Sequence, residues 1–303
     1  MAWCVAGLVW LSCGGQPTPP VEAPTETSPP PVDADRRGAR MIGRGVVSTE
    51  AVEFAWSESP DGREAYFNRA PPDRSSFAIY VTRRDGDTWS APVVAPFSGT
   101  YLDADPFVTA DGERLFFSSN RPDTPGGEAG DFNLWVVRRA GDAWGEPERL
   151  PDPINGEGTE IYSTLTTDGT LYFNSDRSGE RLVYRAAASG DGFATPELVA
   201  IPGPHGKRPS NPAIAPDGQS LVFVDTFDGN ATSGDLFVTR RTGTGWADPE
   251  RLSGDFNSTQ SDFAPCYSAD GARLTFTSER PGVVGARPAG ERPPGDLYEL
   301  PAP

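Results

Sequence analysis

Histidine and lysine are almost missing from this 303-residue chain, which has one of each, His205 and Lys207. A lone histidine, set in the Pro/Gly-rich segment IPGPHGKRP, removes histidine-based nucleophile triads and multi-histidine metal sites from consideration. No nucleophile motif is present, and no Gly-rich phosphate loop of the P-loop or dinucleotide type. Arginine supplies all the rest of the 26 Lys and Arg side chains, which 43 acids outnumber, leaving a net charge of −17 that argues against nucleic-acid partners. Long apolar runs are missing too: residues 2–11 are too short to span a bilayer and long enough for a signal-peptide core. What is plentiful is Gly (34) and Pro (32), the composition of a β protein with many turns.

The first residues, MAWCVAGLVWLSCGG, resemble a bacterial lipoprotein cleavage site at Cys13. The resemblance implies a signal peptide over 1–12, cleavage before Cys13 and acylation of its thiol. No Asp follows Cys13, so the family rule places the anchor in the outer membrane. Residues 13–40 carry the Pro/Thr/Glu-rich stretch QPTPPVEAPTETSPPPVDADRR, which cannot bury a core and reads as a disordered tether. With Cys4 removed and Cys13 lipidated, Cys266 is left without an intrachain partner. It lies in an apolar strand and reads as an inert core thiol.

The rest of the chain repeats itself. Asp-Gly turns at Asp61, Asp111, Asp168, Asp217 and Asp270 are spaced by 50, 57, 49 and 53 residues. Each sits between two apolar stretches, as in FVTADGERLFFSSNRPD, the pattern of a tight hairpin. A third apolar piece follows a variable loop (FAIYVTRR, NLWVVRR, RLVYRAA, DLFVTRR, DLYEL). A fourth follows a second turn ending in an aromatic and then Pro, as in GDTWSAP. Four strands per unit and five units without helices predict an all-β, five-bladed β-propeller over 41–303, six blades being the less favoured count. The last unit ends at DLYEL without a fourth strand. ARMIGRGVVSTEAVEFAW, ahead of the first unit, aligns with ERLSGDFNSTQSDFAPCY, so residues near Met41 to Val47 are expected to complete the last blade and close the ring.

The Asp-Gly turn followed by an apolar strand and Ser-x-Arg resembles the WD40-like PD40 repeat of TolB-type propellers. Blade four lacks the Arg, and blade one has Asn68-Arg69 instead of Ser-x-Arg. The resemblance implies an exported envelope protein that binds other proteins, as TolB partners a peptidoglycan-associated lipoprotein. It implies no membrane contact beyond the lipid anchor and a monomeric propeller.

Eight residues before the turn aspartates stand Glu53, Asp103, Glu160, Pro209 and Asp262, four of them acids. As the first residues of the innermost strands they are expected to ring one mouth of the channel, where like charge would suit a cation. The competing reading is structural. Arg69, Arg121, Arg177 and Arg280 stand across the hairpin, and blade four, lacking the acid, offers only Thr226 and Phe227. Acid and base come and go together, as ion pairs would. Two residues further on, Ala55, Asp105, Tyr162, Asn211 and Ala264 fall on the same strand face by simple alternation. Asp105, Tyr162 and Asn211 are therefore the candidate ligand face, alongside the long second-to-third-strand loops of blades two, four and five. The loop DTFDGNATSGD carries oxygen ligands for calcium without EF-hand spacing, and otherwise no cofactor or metal is expected. Trp89, Trp144, Phe193 and Trp246 recur regularly and read as packing residues. The function expected is a non-enzymatic envelope lipoprotein that binds a protein or cell-wall component. The alternative is a five-bladed glycoside hydrolase or carbohydrate-binding propeller, for which acids held by arginines are poor general acids.

Overall fold

The computed structural model describes residues 38–124, 126–203, 208–226, 234–243, 245–284 and 293–303. Cys13 and the tether up to residue 37, His205 and Lys207, Phe227 and most of DTFDGNATSGD lie outside them, as does part of the long loop of blade five. Five antiparallel sheets follow one another along the chain. The innermost strands are Val52–Glu58, Asp103–Val108, Glu160–Leu165, Ser210–Ile214 and Asp262–Tyr267. The second strands, Glu64–Ala70, Arg114–Ser119, Leu171–Ser175, Ser220–Thr226 and Arg273–Ser278, each return from an Asp-Gly turn. They are buried almost throughout because each is covered on both faces by neighbouring blades. The five turn glycines have φ between +66° and +84°, a region that Asp-Gly hairpins need and that a Cβ penalises. Each turn is tightened by its Asp: Asp111 accepts from the Thr109 hydroxyl and the Glu113 amide, which holds its carboxyl below the usual range.

The third strands run Ala78–Asp85, Asn133–Ala140, Leu182–Ala186, Gly234–Arg240 and Asp296–Pro301. The outermost strands of the first four blades are only two residues long: Val93–Val94, Glu148–Arg149, Glu197–Leu198 and Glu250–Arg251. They begin after the Pro of each GDTWSAP-like segment. The aromatic before the Pro belongs to a small hairpin back onto the third strand, pairing Arg84 with Trp89 and Arg139 with Trp144. The fourth strand thus follows the turn, aromatic and Pro that mark it in the sequence.

In blade five the outermost strand is Arg40–Met41, paired with Glu299 and Tyr298. The chain beyond it, from Ile42, crosses to blade one and is not strand as far as Val47. The ring closes at five blades. Core side chains gather in five wedges, one between each pair of neighbouring blades. The wedge at the seam joins Ile42, Val47 and Leu297 to Trp56 and Phe67. A repeated latch crosses the same boundaries. The side chain near the end of one second strand accepts an amide from the next blade's inner strand: Asn68 from Asp105, Ser118 from Tyr162, Asn174 from Asn211. Thr277 of blade five accepts from Ala55 of blade one in the same way, at 3.3 Å. Blade four has Val224 at this place, which has no polar side-chain atom.

Candidate functional site: the channel and the loop face

The four acids and four arginines meet. Arg69 donates to Glu53 at 2.8 Å, Arg121 to Asp103 at 2.6 Å, Arg177 to Glu160 at 3.3 Å and Arg280 to Asp262 at 2.9 Å. All four acids have fully buried side chains. They therefore do not ring an open channel mouth. Their remaining oxygens hold the loop that brings the chain in from the preceding blade: Thr49 donates to Glu53, Ser98 to Asp103, Gly156 to Glu160 and Ser258 to Asp262. Burial dominates at Glu53 and raises its pKa above the ordinary carboxylate value despite Thr49 and Arg69.

Each arginine also binds carbonyls of the same loop, Val47, Phe97, Pro153 and Asp255 respectively. Each lies over two rings of its own blade, Arg121 at 4.9 Å from Phe117 and 5.2 Å from Trp135, Arg280 at 5.4 Å from Phe276 and 4.9 Å from Tyr298. The register is not quite the one the hairpin suggested. Only Arg69 stands directly opposite its acid; in the other three blades a serine does, Ser119, Ser175 or Ser278. The arginine two residues on curls back and is held by that serine's hydroxyl. Blade four has no acid and no arginine, and its two rings, Phe223 and Phe237, stack on each other at 6.0 Å.

Simple alternation fails one step further along each inner strand. Register shifts between Phe54 and Ser57, Ala104 and Phe107, Ile161 and Thr164, Ser210 and Ala213, and Phe263 and Cys266. In every case the first bulged residue is non-glycine and left-handed: Ala55 (φ 56°), Asp105 (54°), Tyr162 (57°), Asn211 (48°) and Ala264 (52°). These are the positions expected to share a face with the acids; the bulge turns them instead toward the centre. There Ala55, Tyr162 and Ala264 form a buried cluster with Phe54, Ile161 and Phe263. Each left-handed residue costs of order 1 kcal/mol, so a bulge repeated five times is a built feature.

The three candidate ligand-face residues have unequal places. Tyr162 is buried and its hydroxyl donates to the Pro265 carbonyl at 2.9 Å, joining blade three to blade five across the centre. Burial, with Asp105 and Cys266 nearby, raises its pKa well above the usual tyrosine value. Asn211 is half-buried and gives its amide to the latch on Asn174. Asp105 is half-buried beside the narrow central space; Ser118 donates to it at 3.3 Å. Burial pushes its pKa up to about 7, against the pull of Ser118 and the more distant Arg181. The space enclosed by Asp105, Tyr162, Trp56 and Cys266 is about 10 Å³, room for one water at most. Cys266 is itself buried, its thiol pushed up to about 12. Among the described residues no three His, Cys, Asp or Glu side chains gather as a metal centre requires.

The recurring aromatics pack. Arg84 lies 3.9 Å over Trp89, Arg139 3.9 Å over Trp144 and Arg241 4.3 Å over Trp246. In blade three the same register pair is Ala188 and Phe193. A concavity that sequence reasoning missed opens between blades one and two, on the side of the second-to-third-strand loops. It measures about 660 Å³ and is lined by Phe77, Tyr80, Tyr101, Leu102 and Asn120 among smaller residues. Tyr101 was readable in advance as an aromatic without counterparts: Ala51, Gly158 and Gln260 occupy its place in other blades.

No family model and no curated protein matches this sequence. Among solved structures, an endo-arabinanase of glycoside hydrolase family 43 from Bacillus licheniformis superposes with a TM-score of 0.55 at 11% identity, over 84% of this chain and 96% of that one. An α-L-arabinofuranosidase from Lactobacillus brevis gives 0.54 at 12% identity, over 86% and 92%. TolB from Acinetobacter baumannii gives 0.48 at 15% identity, over 83% of this chain; the chain spans 55% of that protein's length. At these identities the likeness is one of fold.

Proposed function

We propose that this chain is a non-enzymatic binding propeller of the bacterial envelope, anchored by a lipid on Cys13, that holds a protein or cell-wall component on its loop face. The observation that supports it is the state of the inner-strand carboxyls. Glycoside hydrolysis needs two carboxyl groups facing one sugar, one of them protonated. Four acids here are buried in arginine pairs, Glu58 at the far end of its inner strand is paired with Arg273, and Asp105 remains, beside a space of about 10 Å³. A scaffold with closed centre and variable loops suits recognition. Envelope placement and lipidation rest on the N-terminal sequence and the PD40-like repeats.

One observation favours the hydrolase alternative: Asp105, raised to about 7, has the acidity of a general acid. The deciding experiment is hydrolysis of chromogenic arabinofuranosides and of arabinan by the intact chain, beside capture of purified sacculi and envelope proteins. Capture without hydrolysis is expected. Turnover that disappears in Asp105→Asn would replace the binding reading with the enzymatic one. Metabolic labelling with an alkyne fatty acid tests the anchor, and an unlabelled wild-type chain would remove it.

A further inference from the structure

We propose that the groove between blades one and two takes an extended, basic, proline-bearing peptide segment of a partner protein. This rests on the reading of the loop face as the binding face and names the chemistry of what it binds.

The groove is shaped for an extended chain. Phe77, Tyr80 and Tyr101 are half-buried, each offering part of a ring, with the Arg69 and Arg121 guanidiniums 5.3 Å and 5.7 Å from the Tyr80 and Tyr101 rings, and small residues such as Ala51, Ala70 and Gly99 line the groove with them. Ring faces separated by small residues form the slots in which prolines of a polyproline II helix seat. Such a helix makes no internal hydrogen bonds, so its carbonyls need donors from the partner. The groove has them to spare. Among the described residues the Tyr80 and Tyr101 hydroxyls make no hydrogen bond. Asn120 takes the Leu102 amide on its side-chain oxygen and the Gly130 amide on its backbone oxygen, and gives its own backbone N–H to Leu102, which leaves its side-chain NH₂ group to donate.

Charge selects the sign of the occupant. Glu50, Asp73, Glu128 and Asp131 are exposed and stand beside or within the segments that line the groove. None of them makes an ion pair within 4 Å among the described residues. The arginines nearby are committed: Arg69 to Glu53, Arg74 to Glu279 and Arg121 to Asp103. Four unneutralised acids around an aromatic slot favour Lys or Arg on the incoming segment and repel an acidic one. A neutral glycan would stack on the same rings and gain nothing from those acids; an anionic glycan would be driven off.

The test is fluorescence anisotropy on the intact chain with a labelled dodecapeptide of alternating Pro and Arg. Three comparison probes are an alternating Pro–Glu peptide, an alternating Gly–Arg peptide and chitohexaose. The Pro–Arg peptide is expected to bind, with affinity falling as salt rises. Tyr101→Ala should weaken it about tenfold, the size of one aromatic hot spot. Tyr101→Phe, which keeps the ring, should stay within about threefold, and equal melting temperatures check that both variants fold. Glu128→Gln with Asp131→Asn should weaken binding and flatten its salt dependence. Absent binding, equal binding of the Gly–Arg or Pro–Glu peptide, or indifference to Tyr101→Ala would each overturn the inference. Chitohexaose binding that Tyr101→Ala abolishes would reassign the groove to sugars. Envelope capture that persists while the peptide fails would sink this inference and leave the binding propeller standing.

Discussion

Replacing Asp105 by Asn is expected to stabilise this protein at neutral pH and to do so only there. The carboxyl is enclosed at the centre of the ring, with one described hydrogen bond, from Ser118 at 3.3 Å. Burial moves its pKa from an ordinary 3.8 to about 7. A carboxyl raised by folding is held protonated more firmly in the native state than in the unfolded one. Below about pH 4 both states are protonated and the group is neutral in effect. Between roughly pH 4 and 7 the native state binds the extra proton, so stability falls as pH rises; above that the full cost persists. A shift of roughly three units corresponds to a ceiling of about 4 kcal/mol, at about 1.4 kcal/mol per unit. Structural relaxation and water entering the channel lower the expected gain to about 2–3 kcal/mol. Asn keeps the shape and tolerates the left-handed backbone at φ 54° at least as well as Asp. Urea unfolding of the intact wild-type and Asp105→Asn chains at pH 4, 6 and 8 reads this directly. The curves should converge near pH 4 and separate by pH 8, the variant being the more stable. A variant that gains nothing at pH 8, or differs equally at all three pH values, would refute the buried-carboxyl account of the channel.

Breaking one arginine clamp should be far more damaging. Arg121→Met strands the fully buried Asp103 and is expected to cost about 3–5 kcal/mol by thermal or urea unfolding; adding Asp103→Asn should recover part of it. Tyr162→Phe removes the hydroxyl's bond to Pro265 across the centre and should cost about 1 kcal/mol without altering capture of envelope components. Deleting residues 38–42 takes away the closing strand on Asp296–Pro301. The melting temperature should fall and concentration-dependent association appear in light scattering, because blade five then offers an unpaired edge.

The architecture was legible because its signals are local and repeated. Asp-Gly turns and apolar pieces announce hairpins wherever they fall, and the alignment of ARMIGRG with a fourth-strand segment placed the closing strand near Met41 to Val47, of which only Met41, with Arg40 before it, is strand. The acid–arginine partnership was legible as well, from the blade that lacks both. What stayed hidden depended on backbone geometry that no side chain advertises. The bulge residues Ala55, Asp105, Tyr162, Asn211 and Ala264 follow no single residue type, since what they have in common is a left-handed φ, joined in the first four by an amide given to the neighbouring blade. Strict alternation therefore put these residues on one face with the acids and misjudged Tyr162, whose hydroxyl reaches Pro265 across the centre.

Internal repetition offers a way to separate scaffold from site within a single chain. A group that the wheel itself requires should recur as a set and vanish as a set. The charged pair does so: acid and arginine occur together in blades one, two, three and five and are both missing from blade four, while the two rings beneath them persist there as Phe223 and Phe237. The Arg–Trp stack on the turn side behaves likewise, both members giving way together to Ala188 and Phe193 in blade three. Tyr101 behaves otherwise. Its counterparts in other blades are unrelated residues, such as Ala51, Gly158 and Gln260, so the wheel does not need it. Asn120 stands between the two cases: its side-chain oxygen accepts the amide before the blade's acid, as Asp176 does from Thr159 in blade three, and only its unused NH₂ group is extra. A residue that the repeat can spare, set in a groove with unused hydrogen-bond donors and unneutralised acids at its edge, is where recognition is expected.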